Sequence, residues 1–291
     1  MKFEHRALCI PGLQQPIRIF VMSDTHLMLV SQQDSAEVQS LASSRSKRFC
    51  DLEPWDSHQP FHQLLEQARA LGSDCVAMTG DMMDFLSQGN LAYLEDRLAQ
   101  LPSMFYVVGN HDSPATVKDP ILRERWQELL ASRMGTAAVS KGVACKSLGQ
   151  VLLVGVDNSG YQVTQEQYDL VKTALEQGLP TLLFCHIPLY CPDLCERTRQ
   201  VWNAPILMGC PQEVCKGQSF GNSTLLPTAV TRAFVRLLQE KENLVALVSG
   251  HVHFSHTEYF APGKVQIVTG CGAKGTGRVL DLMPETDTPM P

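Results

Sequence analysis

Short apolar runs recur along the chain, and most end on a polar turn. "IRIFVMS" (17–23) is apolar and β-branched up to Asp24 and reads as a buried strand. "FHQLLEQARALG" (61–72) repeats its apolar positions at helical spacing and stops on a glycine, which predicts a helix. "SDCVAMTGD" (73–81) reads as a second strand, "NLAYLEDRLAQL" (90–101) as a second helix and "SMFYVVGNHD" (103–112) as a third strand. This order predicts a parallel, doubly wound sheet with right-handed crossovers.

The pattern continues with a hairpin of strands over "AAVSKGVACKSLGQVLLVGVDNS" (137–159). A helix follows over 164–178, opening on the capping-box pair Thr164 and Gln167. "TLLFCHIP" (181–188) and "NLVALVSGHVH" (243–253) read as strands around a helix at 228–241, and a last hairpin is expected near 256–270. The closing residues "PETDTPMP" read as a frayed tail. Two stretches lack a clear period, Val30 to Gln59 and Leu189 to Leu226. With no repeat and no linker, a single domain over 1–291 is expected, with 189–226 inserted as a substrate rim or lid.

Composition narrows the partners. The 291 residues can bury a sizeable core, and 44% hydrophobic with 19% charged residues is ordinary for a globular protein. A net charge of -6 supplies no general attraction to nucleic acid or to an anionic membrane. The first twenty residues hold no signal-like apolar core, and no run approaches the roughly 18 apolar residues of a membrane span. A cytoplasmic protein with ten reduced thiols is the expectation, with neither membrane nor nucleic acid as partner.

Metal-ligand residue types follow the strands five times. The runs deliver Asp24 and His26; Asp81; Asn110, His111 and Asp112; His186; and His251 with His253. In an open α/β sheet such residues converge at the carboxyl ends of the strands. Gly80, Gly109 and Gly250 each precede one of them and permit a sharp turn or close approach. Taken singly, Asp-x-His is ordinary loop polarity, Gly-Asp a turn dipeptide and His186 a core histidine; five in order favour a metal site.

Asp24-x-His26, Gly80-Asp81, Gly109-Asn110-His111-Asp112, His186 and Gly250-His251-x-His253 together resemble the calcineurin-like metallophosphoesterases, over about residues 17 to 272. The resemblance implies an α/β fold with a β-sandwich core flanked by helices, four layers in α/β/β/α order. It implies two metal ions, one held by Asp24, His26, Asp81 and His253, the other by Asp81, Asn110, His186 and His251, with Asp81 bridging. Carboxylate, amide and imidazole donors suit Mn, Fe or Zn better than Mg or Ca. The implied reaction is in-line attack of a metal-bound hydroxide on a phosphodiester or phosphomonoester of a small substrate. His111 is implied as general acid or as donor to a phosphoryl oxygen.

Asp84 is read as the group that orients His111, or else as a helix cap. Phe85 stands where the protein phosphatases have an arginine, and Asp84 where the purple acid phosphatases have a tyrosine, so neither subfamily is expected. Arg45, Lys47 and Arg48 can grip phosphate or form a solvated cluster; Trp202 can stack on a base or anchor its own loop. Cys191, Cys195, Cys210 and Cys215 can hold a structural zinc, though their spacing is wider than C-x-x-C and plain thiols are the simpler reading. A nuclease of the same superfamily and a non-catalytic scaffold are the alternatives; intact ligands speak against the scaffold.

Overall fold

The computed structural model describes residues 1–49, 57–114, 118–216, 218–220 and 223–285. The run "IRIFVM" forms strand β2 (Ile17–Met22), and its alternation decides the layering. Phe20 and Met22 point to one face and meet a helical layer, whereas Ile19 and Val21 point to the other and meet a second sheet. The same split holds for β3 (Cys75–Met78) and β4 (Met104–Tyr106), where Val76, Met78, Met104 and Tyr106 face helices while Cys75, Ala77 and Phe105 face the second sheet.

β2, β3 and β4 are parallel neighbours, linked through α2 (His58–Ala70) and α3 (Gln88–Ala99). Both helices, with α4 (Pro120–Met134), which the short α5 (Thr136–Ser140) follows, lie on one face, so the sheet is not doubly wound. Its other face is covered by strands. Two further strands complete this sheet: β1 (Lys2–Ile10), and β13 (Thr276–Pro284), which runs parallel to β1 and antiparallel to β2. The strand order is β1-β13-β2-β3-β4.

The second sheet holds the expected hairpin β5 (Val143–Leu148) and β6 (Val151–Val156), the strands β7 (Thr181–Cys185) and β10 (Leu244–Ser249), and the hairpin β11 (His256–Ala261) and β12 (Lys264–Val268). Its order is β11-β12-β10-β7-β6-β5, with the four central strands parallel. Its outer face is covered by α6 (Gln165–Leu175), which opens on the Thr164–Gln167 capping box, and by α9 (Ala229–Glu240). The result is four layers, α/β/β/α.

The two stretches without a period contain structure. The first carries α1 (Ala36–Phe49), held to the body by a small cluster of Met28, Ala42 and Phe85. The second carries α7 (Pro192–Trp202), the short α8 (Gln212–Cys215) and a two-residue antiparallel pair, β8 (Ser219–Phe220) and β9 (Ser223–Thr224), and joins the outer core of the second sheet through buried Leu194, Cys195, Ile206, Cys210 and Cys215. No helix of the described residues is long and apolar enough to cross a membrane.

Candidate metal centre

The turns after β2, β3, β4, β7 and β10 meet at one edge of the sandwich. Backbone hydrogen bonds lace them together: Asp24 N donates to Gly80 O at 3.0 Å, His26 N to Asp81 O at 3.0 Å, and Gly250 N to His186 O at 3.0 Å. The contacts are close enough to exclude side chains at two glycines. A Cβ on Gly109 would stand 2.1 Å from Asp81 Oδ1, and one on Gly250 would stand 1.8 Å from Ser23 Oγ. The chain is also bent hard here. Asp24, His26, Asp81, His251 and His253 all have positive φ, between 46° and 70°, a conformation that costs energy without glycine and clusters at functional sites.

The side chains form joined groups. Asp24, His26 and His253 present ligand atoms within 4.8 Å of one another, as do Asp81, His186 and His251, and also His26, Asp81 and His111. Asp81 and His26 thereby connect the whole. Asp81 Oδ1 accepts from His111 N at 2.8 Å, and its Oδ2 lies 3.2 Å from His186 Nε2. Among the described residues none of the metal-capable groups contains a cysteine, so Cys191, Cys195, Cys210 and Cys215 form no zinc cage there. They lie buried in the core instead.

Three of the histidines are braced on their far sides, as metal-binding imidazoles are. His26 Nδ1 meets Asp84 Oδ1 at 3.1 Å; His186 Nδ1 meets Thr79 O at 2.7 Å; His251 Nε2 meets the Tyr161 hydroxyl at 2.8 Å. The inner nitrogens are left crowded. His26 Nε2 and His253 Nε2 lie 3.1 Å apart, and His251 Nδ1 lies 3.2 Å from His186 Nε2. Two lone pairs at that distance repel unless a proton or a cation stands between them.

The electrostatics follow. Burial opposes a charge on His186, but Asp81 and Asp24 overcome it and raise the imidazole to about 10. Burial and the neighbouring charged His186 push His251 down to about 3. The two carboxylates thus favour positive charge at the place that a cation fits. Asp24 Oδ1 and Asn110 Oδ1 are buried without hydrogen-bond partners, and these are donor atoms a metal ion satisfies. The residues present fit divalent cations.

His111 stands beside this centre with its side chain 28% exposed. Its Nδ1 lies 3.0 Å from Asp84 O and 3.3 Å from Asp84 Oδ1. Asp84 is not a helix cap, because Ser87 caps α3. Its carboxylate is shared with Arg45, which reaches down from α1 with Nε 2.5 Å from Oδ2 and Nη2 2.6 Å from Oδ1. Burial opposes the charge, yet hydrogen bonds from Arg45 and His26 hold Asp84 down at about 2. Arg45 is therefore committed to Asp84 rather than to a solvated cluster, with Nη2 also 3.4 Å from His111 Nδ1. Arg48 lies on the same helix, but its side chain and that of Lys47 fall outside the described residues.

Trp202 does not offer its indole N–H to a base. The N–H donates to Val252 O at 3.0 Å, and the ring stands edge-on to His253 at 5.1 Å. Asp112, the third polar residue after β4, is a latch: its carboxylate accepts from Gly109 N, Met82 N and the Tyr106 hydroxyl, and burial with the nearby Asp81 charge raises it to about 6. Residues the sequence reading passed over include Tyr161, itself at positive φ, and Asn158, whose amide oxygen accepts from both His186 N and Ile187 N. Both follow β6, in the polar turn "DNSGY", which holds no histidine to draw attention to it.

The sequence model of the calcineurin-like phosphoesterases matches residues 17–255, which spans every one of these turns. The chain belongs to the calcineurin-like phosphoesterase family. No curated protein sequence matches it. Solved structures similar to this calcineurin-like phosphoesterase include a dimetal phosphatase from Danio rerio, 11% identical with a TM-score of 0.53 and 88% of each chain covered. The calcineurin-like phosphoesterase YfkN from Bacillus subtilis is 10% identical, with a TM-score of 0.46 over 94% of this chain and 86% of that one. A 5'-nucleotidase from Candida albicans is 10% identical, with a TM-score of 0.41 over 94% of this chain and 47% of that one. At such identities the likeness is one of fold.

Proposed function

We propose that this calcineurin-like phosphoesterase is a two-metal phosphohydrolase that cleaves small phosphodiesters or phosphomonoesters. The observation that carries the reading is the pair of joined ligand groups, each with orphaned or crowded donor atoms turned inward and braced partners outward. Asp24, His26, Asp81 and His253 would hold one ion, and Asp81, Asn110, His186 and His251 the other. Bound ions of the Mn, Fe or Zn kind supply a nucleophile at neutral pH and neutralise the phosphoryl oxygens. The fold-related Danio rerio protein is described as a dimetal phosphatase, the chemistry proposed here.

His111 is the residue that serves the substrate. Its backbone N–H is fixed on Asp81 and its Nδ1 on Asp84, so the exposed part of the ring faces the opening. From there it protonates the leaving oxygen or donates to a phosphoryl oxygen. Asp84 sets the ring orientation of both His26 and His111, and Arg45 holds Asp84 in place. The segment 189–226 forms a rim on the His253 side through Trp202. A nuclease is disfavoured by the acidic chain.

The experiment compares p-nitrophenyl phosphate with bis(p-nitrophenyl) phosphate, with added Mn, with chelator, and in a His111→Ala variant. Chelator-sensitive hydrolysis that falls by about 10²–10⁴ in the variant is expected. Equal turnover by wild type and His111→Ala would contradict the role given to His111. Preference for the diester or the monoester assigns the branch of chemistry.

A further inference from the structure

Beside His111 the surface opens into a cleft of about 690 Å³, within the range of pockets that take drug-sized or nucleoside-sized groups. One end of its lining is Asn110, His111 and Asp84, so the cleft begins at the centre described above. From there the lining includes five apolar side chains: Val38 and Leu41 of α1, Phe85 and Leu86 after β3, and Leu122 of α4. Among the described residues, none that line the cleft comes from 189–226. The wall is built from the first of the two aperiodic stretches and not from the second.

The charge of the lining is one-sided. Beyond Asp84, whose charge Arg45 offsets, the described residues of the lining place the carboxylates of Asp34, Glu37 and Asp119 against the ammonium of Lys118. Asp34 is spent on the backbone N–H groups of Ser31, Gln88 and Gly89, and Asp119 on the first turn of α4. Glu37 stands exposed in the first turn of α1. An anionic substituent entering this cleft meets carboxylates; an apolar face meets matching side chains.

Resting on the phosphohydrolase reading, we infer that this cleft holds the organic group esterified to the phosphate, and that it selects an uncharged or cationic group with an apolar face over one bearing further anionic groups. The phosphate end goes to the metals and His111. α1 is then the specificity element. Its attachment through Arg45 to Asp84 places that element on the residue that orients His111.

The test uses the full chain loaded with Mn and reads phosphonate binding by calorimetry, independently of turnover. Methylphosphonate probes the centre alone, naphthylmethylphosphonate adds an apolar group, and 2-aminoethyl- and 2-carboxyethylphosphonate are a near-isosteric pair of opposite charge. Naphthylmethylphosphonate is expected to bind at least about tenfold more tightly than methylphosphonate. The amino compound is expected to bind about three- to tenfold more tightly than the carboxylate. Leu41→Gln should lower the naphthyl advantage, and Glu37→Lys should reverse the preference within the charged pair. Both positions are exposed, Leu41 by 40%, so the fold tolerates the changes. Normal methylphosphonate binding with both preferences unaltered in the variants would overturn this inference alone. Failure of methylphosphonate itself to bind would overturn the phosphohydrolase reading, and this inference with it.

Discussion

Replacing Arg45 with methionine tests whether the clamp between α1 and the centre works as its geometry states. The change removes two short charge-assisted hydrogen bonds to a carboxylate whose side chain is fully buried. Breaking one side of a buried pair costs about 3–5 kcal/mol; Asp84 keeps His26 and His111 as neighbours, so the lower end applies. The titration of Asp84 points the same way. The carboxyl sits at about 2 against an ordinary 3.8, roughly 2 kcal/mol of folding free energy at neutral pH, to which Arg45 is the largest contributor beside His26 and His111. A loss of about 2–3 kcal/mol lowers the melting temperature of a chain this size by about 4–10 °C.

The pH dependence has a definite sign. The folded carboxyl is depressed, so its stabilisation is complete above the unfolded value near 4 and is lost as pH falls toward about 2. Melting of chelator-treated wild type and Arg45→Met is therefore expected to differ by a constant amount from pH 8 to 5, with the gap closing below about pH 4. In an Asp84→Asn background the same Arg45 substitution should cost little, since its partner charge is gone. A shift under about 1 °C, or an equal loss in the Asp84→Asn background, would refute the clamp.

Three other outcomes are expected. Tyr161→Phe removes the hydroxyl on His251 Nε2 and should weaken Mn binding about 10–100-fold by calorimetry, leaving the far-ultraviolet circular dichroism unchanged. Gly109→Ala puts a methyl group 2.1 Å from Asp81 Oδ1 and should abolish tight metal binding with a loss of several kcal/mol of stability; a variant that binds Mn normally would contradict the packing described. Chelation of the metal-loaded protein should lower its stability by about 3 kcal/mol for each ion held at 100 times its dissociation constant, seen as a drop in melting temperature.

The sequence was most legible where a local rule governs. Apolar runs such as "IRIFVM" and "TLLFC" are buried on both faces and appear as strands, and the polar residues after them are brought to one edge. What covers each face was not local: the alternation of Ile19 with Phe20 says that both sides are buried, not that one meets helices and the other a sheet. β1 and β13 were missed because each is stabilised by the other, 274 residues apart at Lys2 and Thr276, and "TGRVLDLMP" carries glycine and proline that disguise a strand.

In the site, side chains that act through another residue left no local signal. Arg45 meets Asp84 across 39 residues, and Tyr161 meets His251 across 90. α1 itself is weakly patterned, "AEVQSLASSRSKRF": among its described side chains Ala42 is the one buried in the small cluster that holds it, with Val38 packed partly against it. Trp202 followed the rule for aromatics in long loops, packing its ring against a neighbour and satisfying its own N–H.

We propose one cluster of side chains, joined through Asp81, that binds two metal ions and hydrolyses phosphate esters with them. The deciding experiment is Mn titration into chelator-stripped protein, following bound metal and hydrolysis of bis(p-nitrophenyl) phosphate and p-nitrophenyl phosphate together, in wild type and Asp81→Asn. Two ions per chain are expected, with turnover that requires them and a variant that loses both tight binding and activity. A single ion per chain, or turnover that survives stripping or the Asp81→Asn change, would contradict it.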